Sequence, residues 1–308
     1  MIRRPPRSTP SNSSAASDVY KRQGHPLAEL SRSISAEPVK EEPKPQEKAE
    51  EYLILTPDGE LVKPEEYRYK EGEEGFRQLV EKEALKQPLK GGAPRYFSYC
   101  KKFGIEWEPA SDVGHMRFSP EATLIMDVLS EYSWMCAESL GIPVFKVRGT
   151  NMFDLAMPAV KQHAELYGDR LYEVDTGQKR LVLRYAACHQ QFAMIKDWVI
   201  SYRNLPFGAF ELADSYRLEQ PGELLLCFRM RKFHMPDLHI FCRDLEEAKQ
   251  VSLKVHRKIY EEIKKIGRDY VSIYNTTKSF LKENMDYVLE LVRHEGKPVL
   301  LHFVEENK

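Results

Sequence analysis

The sequence predicts an α+β fold in which an antiparallel β-sheet is flanked by helices. Three observations carry that prediction. Phe210, Leu212 and Tyr216 alternate with polar partners, Gln220-Pro221-Gly222-Glu223 supplies turn chemistry, and Leu238, Ile240 and Cys242 resume the period of two, which reads as strand, turn, strand. Helices carry start and stop signals, with Ser119-Pro120 opening one that ends before Gly141, and Gly267 stopping another over Leu245–Ile266. A chain of 308 residues has room for a sizeable core and one or two domains.

Composition narrows the function classes. Charged residues make up 30% and balance to a net charge of −1, so any contact with nucleic acid must rest on local patches. Five scattered cysteines, an odd number, point to a reducing compartment with metal-bound or core thiols and not to a disulfide framework. No apolar run approaches the ~18 residues of a membrane span. The expectation is a soluble, cytoplasmic protein with no membrane association.

In chain order, residues 1–23 are rich in Arg, Pro and Ser, with Asp18 the sole acid. A disordered arm or an organellar transit peptide has this bias. Ile2–Arg7 and Ser14–Gln23 resemble translated sequencing-adapter sequence, so the segment is expected to be non-native. Residues 24–35 form a short separate piece, and 36–51 a charged, Pro-containing linker too polar to offset its ordering entropy. Tyr52–Leu55, turning at Pro57-Asp58-Gly59 into Leu61-Val62, predicts a hairpin; Phe76–Leu85 predicts a helix, followed by a Gly91-Gly92 break. These belong to a small region, 52–90, ahead of a main domain over 91–308.

Within that domain, the helix opened by Ser119-Pro120 carries one apolar stripe, Leu124, Val128, Leu129, Tyr132 and Met135, and Ile142–Val147 follows as a strand. Further predicted elements are a helix over Pro158–Tyr167, a strand over Arg180–Arg184 and a helix over Cys188–Tyr202. Cys188 opens that last helix, where the dipole is expected to stabilise its thiolate and favour metal ligation. After the helix Leu245–Ile266 come a strand (Tyr270–Tyr274), one helix over Thr277–Arg293 ended by Gly296, and a strand (Pro298–Val304). His294 in a last helical turn and His302 on a strand read as structural.

The chemistry gathers between Leu183 and Cys242. On a two-stranded floor, side chains two apart share a face, so Arg217 and Glu219 are expected to point the same way. A guanidinium suits phosphate or carboxylate oxygens, a carboxylate can accept from an exocyclic amine, and Phe233 could stack on a purine. A cross-strand salt bridge on a solvated face accounts for Arg217-x-Glu219 equally simply. Cys188 and His239, so far apart in sequence, could equally be a buried thiol and a satisfied core histidine.

Together, however, Arg217-x-Glu219, the variable loop and Arg229-x-x-x-Phe233 resemble motif 2 of the class II aminoacyl-tRNA synthetases. Within that class the chain resembles the threonyl-tRNA synthetases, closest to the archaeal type, from about Lys90 to the C-terminus, through segments such as Glu108–Phe118 and Phe192–Asp197. The resemblance implies a zinc site using Cys188 and His239, with Asp237 accepting from the threonine hydroxyl. It implies that Arg217 holds the α-phosphate and the substrate carboxylate as the catalytic residue. Glu219 would read the adenine amine, Phe233 stack on the ring, and Arg229 contact the γ-phosphate side of ATP, with Mg2+ on the phosphates. The implied reaction is ATP-dependent threonyl-adenylate formation followed by transfer to tRNA(Thr).

The helix and strand over 119–147 resemble motif 1, which implies a homodimer, although Thr150 stands where the family has proline. Residues 24–35 resemble the end of an N-terminal editing domain, with Glu29, beside His25, as a remnant of its pocket. Valine is shaped like threonine but lacks the hydroxyl, so a metal that binds that hydroxyl rejects it. Serine is smaller by one methyl, worth only ~1–3 kcal/mol, and calls for editing. The family's motif 3, third zinc-binding His and anticodon-binding domain match nothing in the sequence, so a fragment, inactive alone, is expected. The alternative is a catalytically silent paralogue serving as a binding or regulatory module; a prolyl or seryl enzyme shares motif 2, but the common seryl type lacks the zinc pair.

Overall fold

The structure is a computed structural model that describes residues 50–88 and 96–306. The segments 1–23 and 24–35, with His25 and Glu29, most of the 36–51 linker and the Gly91-Gly92 break lie outside the described residues. The described elements run β1 (Glu51–Leu55), β2 (Leu61–Val62), α1 (Glu74–Glu83), α2 (Tyr96–Phe103), β3 (Ile105–Trp107), β4 (Met116–Phe118) and α3 (Pro120–Glu138). There follow β5 (Val144–Lys146), β6 (Met152–Asp154), α4 (Pro158–Ala164), β7 (Glu173–Asp175), β8 (Arg180–Leu183) and α5 (Cys188–Ile195). The chain continues through β9 (Phe207–Tyr216), β10 (Lys232–Phe241), α6 (Leu245–Ile266), β11 (Ile273–Thr276), α7 (Lys278–Glu283), α8 (Met285–Glu295) and β12 (Val299–Phe303).

The fold is α+β, and the expected hairpins are present. β1 pairs antiparallel with β2 and with β12, β9 with β10, β3 with β4, and β8 with both β6 and β7. Two pairings are parallel, β5 with β9 and β11 with β12, so the sheets are mostly and not wholly antiparallel. In the sheet β11-β12-β1-β2, neighbouring residues face opposite ways. Leu55, Val299 and Leu301 pack with Leu281, Val288 and Val292 of α7 and α8, while Ile54 and Leu300 pack with Phe76 and Val80 of α1. The site is carried by the middle of the chain, where α5 lies against β9 and β10 through Ile195, Phe207, Ala209 and Phe241.

Several expectations need correction. The helix beginning at Cys188 stops at Ile195, not Tyr202, because Ser201 and Asn204 form a reciprocal capping box that starts a separate turn over Tyr202–Asn204. The helix expected over Thr277–Arg293 breaks at Asn284, whose backbone leaves the helical region (φ −126°, ψ 31°) and whose side-chain amide donates to the Phe280 carbonyl. The strand expected over Tyr270–Tyr274 lies instead at β11, where it joins β12 in parallel register. Ser119 makes no side-chain cap bond, although Pro120 does open α3. Gly267 and Gly296 terminate α6 and α8 in the left-handed region, at φ 67° and 68°.

The apolar stripe of α3 faces outward. Leu124, Val128, Leu129 and Met135 are each more than half exposed, while the buried side of the helix is made by Ala122 and Ala137. His302 stacks on Tyr52 and bonds Asn275 (2.9 Å), and His294 packs against His256, so both sit in structural settings. No helix among the described residues is long and apolar enough to cross a membrane.

Candidate active site

One half of the site is built by regular structure. Cys188 is the first residue of α5, and Gln191 follows one turn later, completely buried. Asp237 and His239 are two apart on β10 and share a face. The structure thereby brings one ligand atom from each of Cys188, Asp237 and His239 within 4.8 Å of one another. A thiol, an imidazole and a carboxylate are the donor types zinc takes, so the residues present fit that ion. His239 Nδ1 lies 3.1 Å from Gln191 Oε1 and 3.3 Å from Asp237 Oδ2. The Gln191 amide donates to Asp237 Oδ2 at 2.9 Å, and the Phe192 ring meets His239 edge-on.

Burial pushes the Asp237 carboxyl up, against the pull of His239 and Arg184. Burial, with Asp237 nearby, also pushes the Cys188 thiol up. This is opposite to the expected dipole-stabilised thiolate. In a helix of two turns, desolvation and a neighbouring carboxylate outweigh the N-terminal field.

The other half lies in loops, except for Phe233 on β10. Arg217 and Glu219 were expected on a strand face, but β9 ends at Tyr216 and both residues follow it. They do not converge on a common partner. Arg217 Nε donates to the Tyr185 carbonyl at 3.1 Å, and its guanidinium lies 5.2 Å from the ring centres of both Tyr167 and Phe233. Glu219 is buried, and its Oε2 takes Arg229 at 2.8 Å and Arg170 at 3.3 Å. Arg229 also reaches Glu223 at 3.1 Å, in the turn where Gln220 and Glu223 cap each other. The group expected to read an adenine amine and the group expected near the γ-phosphate are thus paired with each other.

Beneath the Cys188–Asp237–His239 half is a charge pair that sequence reasoning missed. Arg184 and Glu211, 1% and 3% exposed, bond through two contacts of 2.9 and 2.7 Å. Arg184 also donates to the Ala187 carbonyl, and Gly149 N–H donates to Glu211 Oε1, each at 2.7 Å. The pair therefore ties the end of β8, the start of α5, β9 and the segment after β5 together. Glu211 is opposite Asp237 in the β9–β10 register. One signal was available: a lone carboxylate in the middle of the apolar run Phe207–Ala213. A Cβ at Gly149 would sit 1.9 Å from Gln190 Cγ, so a larger residue there requires the Gln190 side chain to move. A second missed group joins the 108–118 segment to the residue just before β10: Asp112 accepts from Arg231 at 3.0 Å and from Tyr172 at 2.5 Å, and lies 2.6 Å from His115.

Residues 171–299 match the model of the tRNA synthetase class II core domain (G, H, P, S and T). The threonine–tRNA ligase of Thermofilum pendens is 61% identical, over 92% of this chain and 46% of its own length. The threonine–tRNA ligase of Pyrobaculum arsenaticum is 55% identical over the same shares. The chain belongs to the threonyl-tRNA synthetase family. It spans slightly less than half the length of these relatives. Its fold resembles the RNA-binding domain of threonyl-tRNA synthetase from Cryptosporidium parvum, with a TM-score of 0.57 at 17% identity, covering 65% of this chain and 51% of that one.

Among the described residues, Cys188, Asp237 and His239 thus come together, and the Arg217 guanidinium lies beside the Phe233 ring. The additional partners Gln191, Arg184, Glu211 and Arg170 come from packing and ion pairing that spacing does not reveal.

Proposed function

We propose that this chain carries the ATP- and threonine-binding part of a threonine–tRNA ligase. That enzyme joins threonine to ATP as threonyl-adenylate and transfers the threonyl group to tRNA(Thr). The observation that carries the reading is the gathering of Cys188, Asp237 and His239 on one face of the β9–β10 hairpin, with Arg217 and Phe233 at the end of the same hairpin. Cys188, His239 and Asp237 would hold or face a zinc ion, which when bound offers open positions to an amino acid bearing both amino and hydroxyl groups. Asp237 would accept from that hydroxyl. Arg217, held over two aromatic rings, is a fixed cation for the α-phosphate and substrate carboxylate, where it stabilises charge developing in the displacement. Phe233 offers a ring for the adenine, Glu219 an acceptor for its amine and Arg229 a cation for the outer phosphates, which Mg2+ would accompany.

The exposed stripe of α3 supports a homodimer in which a second copy covers Leu124, Val128, Leu129 and Met135. A cytoplasmic location fits this function. The test is titration of the zinc-loaded chain with non-hydrolysable aminoacyl-adenylate analogues. The threonyl analogue is expected to bind at least tenfold more tightly than the valyl one, on the order of what loss of one polar contact costs. Equal binding of the two, or none, would overturn the reading.

A further inference from the structure

We propose that Gln191 is a positioning residue for this site: it fixes the tautomer of His239 and ties down one oxygen of Asp237. The inference rests on the metal reading above and deepens it. Gln191 is completely buried on α5, one turn beyond Cys188, so the helix that delivers the thiol also delivers the amide. A buried primary amide must satisfy both ends, and the surroundings leave it one orientation. Its NH2 faces Asp237 Oδ2 at 2.9 Å and the Asp237 backbone carbonyl at 3.4 Å. A carboxylate and a carbonyl only accept, so the amide nitrogen must point there and Oε1 must point at His239 Nδ1, 3.1 Å away.

An amide oxygen only accepts as well, so Nδ1 carries the proton. In a neutral imidazole the other nitrogen, Nε2, then holds the lone pair and is the one left for a metal. Asp237 Oδ2 lies 3.3 Å from the same Nδ1 and would compete for it. By donating to Oδ2, Gln191 shares that carboxylate's charge and leaves Oδ1 for a substrate donor. One side chain thus separates two adjacent residues into a metal ligand and a substrate acceptor. Outer partners of this kind orient ligands and raise their basicity.

The test uses the full chain. In the metal-free parent with the ring neutral, long-range ¹H–¹⁵N correlation should show Nδ1 protonated and Nε2 bare at His239; the opposite tautomer overturns the proposal without any variant. Chelator competition should then show zinc bound ~10–100-fold more weakly by Gln191→Leu, the usual size for loss of such a partner. Unaltered affinity in Gln191→Leu would overturn the proposal. A parent chain that takes up no zinc would instead sink the metal reading itself, which separates the two failures.

Discussion

The two halves of the site hold their polar groups in different ways. In the half proposed to hold zinc, every polar group is set by a helix or strand: Cys188 and Gln191 by α5, Asp237 and His239 by β10, with the Arg184–Glu211 pair buried below. In the half proposed to hold the nucleotide, Arg217, Glu219 and Arg229 lie in loops, and Glu219 and Arg229 neutralise each other. Zinc needs donors at fixed separations, so register and helix pitch are the suitable supports. A triphosphate arrives with its own charge, and internal ion pairs that can exchange partners keep the cations from repelling one another meanwhile. On the proposed function, the first half would be organised before binding and the second by it.

The comparison is most severely tested at Arg184 and Glu211. Removing one member strands the other's charge in the core, which typically costs about 3–5 kcal/mol. Glu211→Ala should therefore lower urea stability by that amount and loosen zinc as well; a loss under ~1 kcal/mol would mean that this scaffold is not what organises the metal half. Burial raises the Glu211 carboxyl, but the Arg184 guanidinium and the Gly149 N–H outweigh it and hold it below the ordinary carboxylate range. With the folded value depressed, this stabilisation is present above the unfolded value, near 4.3 for a free glutamate (an approximate figure), and fades as pH falls through the folded one. Acid titration of Glu211→Gln should show a shallower loss of stability below that pH than the parent shows.

A smaller effect is expected at Arg217. Arg217→Ala removes a fixed cation from the developing charge, an omission that typically costs about 10²–10³-fold. Binding of the threonyl-adenylate analogue should fall within that range, while urea stability falls by about 1–2 kcal/mol, the worth of the lost Tyr185 bond and ring contacts. Zinc affinity should not move. If Arg217→Ala weakens zinc as much as adenylate, the two halves are a single unit and the division drawn between them is wrong.

What was legible in the sequence follows the same division. Cys188, Asp237 and His239 sit on elements whose periodicity can be read, so strand register alone puts Asp237 and His239 on one face. The reading of Arg217 and Glu219 as strand neighbours failed because β9 stops at Tyr216, and only tertiary pairing with Arg184 and Arg231 decides where. Gln191 and Arg184 were invisible because a buried amide or guanidinium looks, in sequence, like any polar residue on a helix or strand. The helix break at Asn284 is local, yet asparagine occurs in helices often enough that its bond to Phe280 could not be foreseen. The outward stripe of α3 was plain as periodicity, but periodicity does not say whether the apolar face meets the chain's own core or another copy.

The smallest expected effect concerns Arg229, and it is the finest test of exchangeable pairing. Its guanidinium is 40% exposed and bonded to Glu219 and Glu223, so removing it costs the fold little, ~0–1 kcal/mol for a pair of this exposure. Glu219 would not be stranded, because Arg170 already lies 3.3 Å from the same oxygen. Arg229→Ala should therefore leave the urea midpoint nearly unchanged and weaken ATP more than it weakens the adenylate analogue, which lacks the outer phosphates. It should also flatten the dependence of ATP affinity on salt, since one cation facing those phosphates is gone. Should Arg229→Ala instead destabilise the chain by 2 kcal/mol or more, well above the roughly 1 kcal/mol ceiling for such pairs, its bond to Glu219 would be structural. The nucleotide half would then be as rigid as the metal half, and a triphosphate would have no pair to open.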